Sequence, residues 1–87
     1  MNQSAKPKHE IGDLVMKRIV NKKGINYTLG IIKIHRTKHN GHATAYPWGV
    51  FWVNQEIITS DGCKYYTAGE ITRFKNVLNS YINNYEE

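Results

Sequence analysis

The chain has 87 residues and 10.1 kDa, with 40% hydrophobic and 22% charged residues, a net charge of +5 and a pI near 9.4. Area scaling gives roughly 5,300 Å² of folded surface against roughly 14,600 Å² for the extended chain, which allows one thin core and no second domain. A single cysteine excludes an internal disulfide framework, and no apolar run approaches the ~18 residues of a membrane span. The opening MNQSAKPKHE lacks the apolar core of a signal peptide, so export by that route is not expected.

Residues 1–10 are polar and contain Pro7, which predicts a flexible N-terminal arm. A first strand is predicted over 14–20, where Leu14, Met16 and Val20 alternate with Val15, Lys17 and Ile19, apolar on both faces. Asn21–Lys22–Lys23–Gly24 is a turn. The second strand is predicted over 27–36, with Gly30 as a bulge or sharp bend. Residues 37–47 form a loop around Asn40–Gly41, a strong turn dipeptide. The third strand, 49–54, is apolar on both sides and therefore central. Residues 55–60 extend it or form a further short strand.

Asp61–Gly62 turns the chain into a strand at 64–67. Residues 68–71 break the pattern, and Thr72–Arg73–Phe74 closes the sheet as a short last strand. From Lys75 the period becomes helical. Val77, Leu78, Tyr81, Ile82 and Tyr85 share one face, while Asn76, Asn79, Ser80, Asn83 and Asn84 occupy the other. Asparagine is a poor helix former, so this helix needs the sheet or a partner to hold it. The reading is mainly β: a small five-stranded antiparallel barrel over 11–74, with a C-terminal amphipathic helix and tail over 75–87.

Three segments carry a resemblance. Ile11–Gly12–Asp13–Leu14–Val15 resembles the opening of Src-homology-3-type, KOW and Tudor-like barrels, and Leu29–Gly30–Ile31–Ile32 resembles their second strand. Val50–Phe51–Trp52–Val53, followed by Tyr65–Tyr66 and Glu70–Ile71, resembles their closing segments. The ordered set, over roughly 10–74, is similar to small barrel proteins encoded by bacteriophages. Gly49 stands where that pattern usually holds tyrosine, and the C-terminal helix is an addition. The resemblance implies a virion or host-cytoplasm setting and a structural or accessory role.

Charge divides the chain. Residues 1–39 hold nine of the twelve Lys/Arg against Glu10 and Asp13, whereas residues 40–87 are net acidic. A nucleic-acid interface would use Lys17, Arg18, Lys22, Lys23, Lys33, Arg36 and Lys38 on phosphates, with Tyr27 or Trp48 stacking. Only three of the twelve are arginine, the better bidentate phosphate ligand, which weighs against that reading.

The aromatics outnumber what so small a barrel can enclose. Tyr46, Trp48, Tyr65 and Tyr66, with Val77, Tyr81 and Tyr85 of the helix, are the expected protein-interaction residues. His35, His39 and His42 have metal-like spacing, but no cysteine or carboxylate lies between them and Arg36 and Lys38 intervene, so a solvated loop is expected. Cys63 lacks a readable base, and no phosphate loop, paired-carboxylate or Ser/His/Asp pattern occurs. The expectation is a non-enzymatic interaction module without cofactor or metal. It docks on a larger phage or host protein assembly and is not a membrane protein. Nucleic-acid binding is the alternative, inhibition of a host enzyme a second, and homo-oligomerisation stays open.

Overall fold

Strand-forming residues on either side of the Asn21–Gly24 turn pair β1 (Leu14–Asn21) with β2 (Gly24–His35) in the computed structural model, which describes residues 9–55 and 59–85. The ladder runs without a break from Leu14 opposite Ile31 to Asn21 opposite Gly24. The turn is fixed by Asn21 Oδ1, which accepts a 2.9 Å hydrogen bond from Lys23 N. The predicted loop contains a small hairpin, β3 (Lys38–His39) and β4 (His42–Ala43). Its tip is Asn40–Gly41, with φ of 54° and 82°, the left-handed pair that a two-residue hairpin loop requires.

β5 (Trp48–Trp52) pairs with β2, and β6 (Lys64–Tyr66) pairs with β5, giving a four-stranded antiparallel sheet ordered β1-β2-β5-β6. The sheet curls into a half-barrel, and β3–β4 stand apart as a second, two-stranded sheet. Among the described residues the predicted five-stranded arrangement is thus replaced by six strands in two sheets. The arm expected at 1–10 falls outside the described residues except for His9 and Glu10, as do residues 56–58 of the predicted strand extension.

Two local expectations are corrected. The irregularity in β2 lies between Ile32 and Ile34, not at Gly30. Gly30 serves close packing instead: a Cβ there would sit 2.6 Å from the Trp52 ring and 2.7 Å from Val50. The second correction concerns 68–74, which is helix and not a pattern break followed by a strand. The helix α1 (Ala68–Tyr85) begins at a capping box. Thr67 N donates to Glu70 Oε1 at 2.9 Å, and Glu70 N donates back to Thr67 Oγ1 at 3.1 Å.

The early start brings Ile71 and Phe74 to the core. Val15, Ile32, Val50, Trp52 and Ile71 are fully buried, joined by Trp48 and Tyr66, with Phe74 packed against them. α1 runs along β1, which is an edge strand of the sheet. Lys75 Nζ reaches Asp13 Oδ2 at 2.7 Å, and farther along the helix Tyr81 packs on Tyr27 with ring centroids 4.9 Å apart. The helix thereby covers an edge that would otherwise offer unpaired backbone groups.

Candidate interaction surfaces

Strand alternation assigns every residue of the curled sheet to one of two faces. Val15, Gly30 and Trp52 share the inner face, whereas Leu14, Ile31 and Phe51 form a row across three strands on the outer face. Leu29 and Val53 continue it, tied by the Val53 N to Leu29 O hydrogen bond of 2.9 Å. An antiparallel sheet with one face on its core ordinarily carries polar residues on the other. Here Leu14, Phe51 and Val53 stay 47%, 40% and 48% exposed; toward the hairpin tip the same face carries buried Met16, then Arg18 and Tyr27 beside α1, and only then the exposed pair Val20 and Ile25. Fully burying such a side chain contributes about 1.5–3 kcal/mol, so covering the exposed half of each contributes about 1 kcal/mol.

Tyr65 lies on this same face, opposite Gly49, which in turn faces Ile34. Its hydroxyl donates a 2.5 Å hydrogen bond to Asp61 Oδ2, and the Arg36 guanidinium stacks 3.9 Å from its ring centroid. Burial, reinforced by the Asp61 carboxylate, pushes the Tyr65 phenol up to about 12. The hydrogen bond from Tyr65, with a second from Cys63 N at 3.0 Å, holds the Asp61 carboxyl below its ordinary value. The group is a fixed polar corner at one end of the apolar row.

The other expected contact residues are dispersed. Tyr46 is exposed in the loop after β4. Trp48 is buried, with His35 stacked on it at 4.0 Å and His9 edge-on at 5.5 Å. Tyr66 is buried beside Trp52, Val77 is half-buried, and Tyr81 is exposed against Tyr27. The Tyr85 side chain lies outside the described residues.

The basic set also divides. Arg18, Lys22, Lys23 and Tyr27 share the β1–β2 hairpin and are exposed, as are Lys33 and Lys38 farther along the chain. Lys17 points inward, its Nζ 4.6 Å from the Trp52 ring centroid and 3.4 Å from Gln55 Oε1. Burial, with the Lys64 charge adding to it, lowers the Lys17 ammonium below its ordinary value. Arg36 is engaged with Tyr65. Among the described residues the recorded ion pair is Lys75 with Asp13, so Arg18, Lys22, Lys23 and Lys33 have no carboxylate within bridging distance.

His39 and His42 pair across the β3–β4 hairpin while His35 stacks on Trp48, and no group of three or more His, Cys, Asp or Glu converges among the described residues. Cys63 is buried, and desolvation followed by the Asp61 charge raises its thiol above the ordinary value. No helix among the described residues is long and apolar enough to cross a membrane.

No family model, curated protein or solved structure matches this chain. Its functional reading therefore stands on the geometry alone.

Sequence reasoning did not single out the outer face. The signal was present, because strands 14–20 and 49–54 read as apolar on both sides, yet an 87-residue chain has no second layer to cover both.

Proposed function

We propose that this chain is a non-enzymatic interaction module that docks through the outer face of its sheet on a larger protein. The observation that supports this most is the row of exposed Leu14, half-buried Ile31 and exposed Phe51, with exposed Val53 beside it. The occupant is a different protein whose docking surface combines apolar side chains with carboxylates. Lys33 lies two residues beyond Ile31 and Lys22 and Lys23 lie at the far hairpin tip, all without an acidic partner among the described residues. Two copies of a chain of charge +5 would bring like charges together, whereas an acidic rim matches them. The resemblance to phage-encoded barrels suggests that this partner belongs to a phage or host assembly.

The test is association in the presence and absence of a Phe51→Glu/Val53→Glu double substitution. Loss of a stoichiometric protein partner with the fold intact supports the reading. A low-salt titration against DNA and RNA tests the nucleic-acid alternative: tight binding whose affinity falls steeply with salt, together with no protein partner lost on the double substitution, would replace the docking reading.

A further inference from the structure

Three poor helix formers, Asn76, Ser80 and Asn84, recur every four residues along α1 and so form one stripe. The stripe lines a cleft of about 570 Å³ between the helix and the β1–β2 hairpin. That size falls within the ~300–1,000 Å³ of small-molecule sites. Its other walls include Arg18 and Tyr27, directly opposed across the hairpin, and Tyr81 of the helix. The two tyrosine rings meet at 52°, with centroids 4.9 Å apart.

The chemistry of this cleft is selective. Arg18 is the one charged group among its described lining residues, and no carboxylate of the described residues bridges to it. A cation would be repelled, and an apolar ligand would leave the guanidinium and the asparagine stripe without partners. A guanidinium takes a phosphate through paired N–H donors, tyrosine rings take a planar group, and asparagine amides donate to and accept from the edge of a heterocycle. One ligand class has all three features.

We propose that this cleft binds a nucleoside phosphate, with the phosphate on Arg18, the base against Tyr27 and Tyr81, and the base edge on the stripe of Asn76, Ser80 and Asn84. The site shares no residue with the docking row, although Arg18 and Tyr27 lie on the same strand face, and does not depend on it. The ligand is either a free nucleotide or one unit of a single strand. In the second case Lys22 and Lys23, at the tip of the same hairpin, meet neighbouring phosphates.

The experiment is calorimetric titration of the full chain with AMP, adenosine, inorganic phosphate and a short oligoadenylate. AMP is expected to bind saturably and about tenfold or more tighter than adenosine or inorganic phosphate. Arg18→Gln is expected to weaken AMP about tenfold, and Ser80→Glu, on the exposed helix flank, to weaken it at least as much by repulsion. Lys64→Gln, exposed on the separate strand β6, leaves binding unchanged. Should Arg18→Gln fail to fold by circular dichroism, Ser80→Glu carries the same test. An oligoadenylate that binds tighter than AMP identifies a single strand as the source, and one that binds equally or more weakly identifies the free nucleotide. AMP binding no tighter than adenosine, or undiminished in the folded variants, overturns the proposal.

Discussion

Trp52 and Tyr66, on the neighbouring strands β5 and β6, are joined by a 2.9 Å hydrogen bond from the indole Nε1 to the phenol oxygen. The rings stand nearly perpendicular at 6.0 Å, and Phe74 of α1 packs edge-on against both. One contact thus links the sheet to the helix. It also satisfies a polar hydrogen in a core that gives it no water. Tyr66→Phe removes the acceptor and leaves the ring, so a cost of about 1–3 kcal/mol is expected. Trp52→Ala should cost about 3–5 kcal/mol. Denaturant unfolding of the two variants measures the ordering.

Gly30 is held by contact with Trp52. Its backbone φ is ordinary, but an added Cβ would lie within 2.8 Å of two atoms of the Trp52 ring. Gly30→Ala is therefore expected to destabilise by about 1–3 kcal/mol, although alanine is not disfavoured by the local conformation. The check is a thermal melt. An unchanged midpoint would show that the ring moves aside freely.

The Thr67–Glu70 capping box sets where α1 starts. Thr67→Ala should cost about 1 kcal/mol, and Thr67→Ser much less, because serine keeps the capping oxygen. Unfolding monitored by far-ultraviolet circular dichroism distinguishes them. A loss confined to the alanine variant locates the effect in the cap.

The Asp13 carboxyl is held below its ordinary value of 3.8, first by the hydrogen bond from Lys75 and then by Glu10 N, which donates at 2.9 Å. A depressed carboxylate stabilises the fold at pH values above its unfolded pKa. That contribution is lost as pH falls through the folded value. The pair is largely solvent-screened, so Asp13→Asn should cost no more than about 1 kcal/mol at pH 7. The difference between the two proteins should shrink below about pH 4. Unfolding curves across that window test the sign.

Tyr65 titrates in the opposite sense. With its phenol pushed up to about 12, it keeps its proton well above the ordinary tyrosine value of 10.0. Asp61→Asn removes the negative charge that disfavours the phenolate, so Tyr65 should then ionise at lower pH. Absorbance at the phenolate band, with Tyr65→Phe as reference, isolates this group.

Much of the sheet was readable from local rules. The Asn21–Gly24 and Asn40–Gly41 turns, the alternation in 14–20 and the helical period after Lys75 each follow from residue type and spacing. The first two turns of α1 were harder, because Gly69 and Thr72 weaken the helical pattern there. The Thr67-x-x-Glu70 signature was the signal that could have located the helix start. Gly30 was legible as special but ambiguous, since a bulge and a close approach both call for glycine and only the position of Trp52 decides between them. Charge counting grouped Lys17 and Arg36 with the hairpin cations, whereas strand parity and neighbouring rings direct one inward and engage the other. The outer apolar face was hidden because it emerges only when pairing places Leu14, Ile31 and Phe51 in one row.

The most direct measurement of the docking claim compares the tagged full chain with its Phe51→Glu/Val53→Glu variant, each crosslinked in its native source and isolated after nuclease treatment. Both side chains are only half-exposed and Phe51 pairs across the sheet with Ile31, so the double substitution should cost no more than about 2 kcal/mol and circular dichroism checks that the variant folds. The account predicts one stoichiometric partner protein on the native chain, with carboxylates at the crosslinked surface, and its absence from the variant. Recovery of the same partners on both chains, or of nucleic acid alone before nuclease treatment, would contradict it.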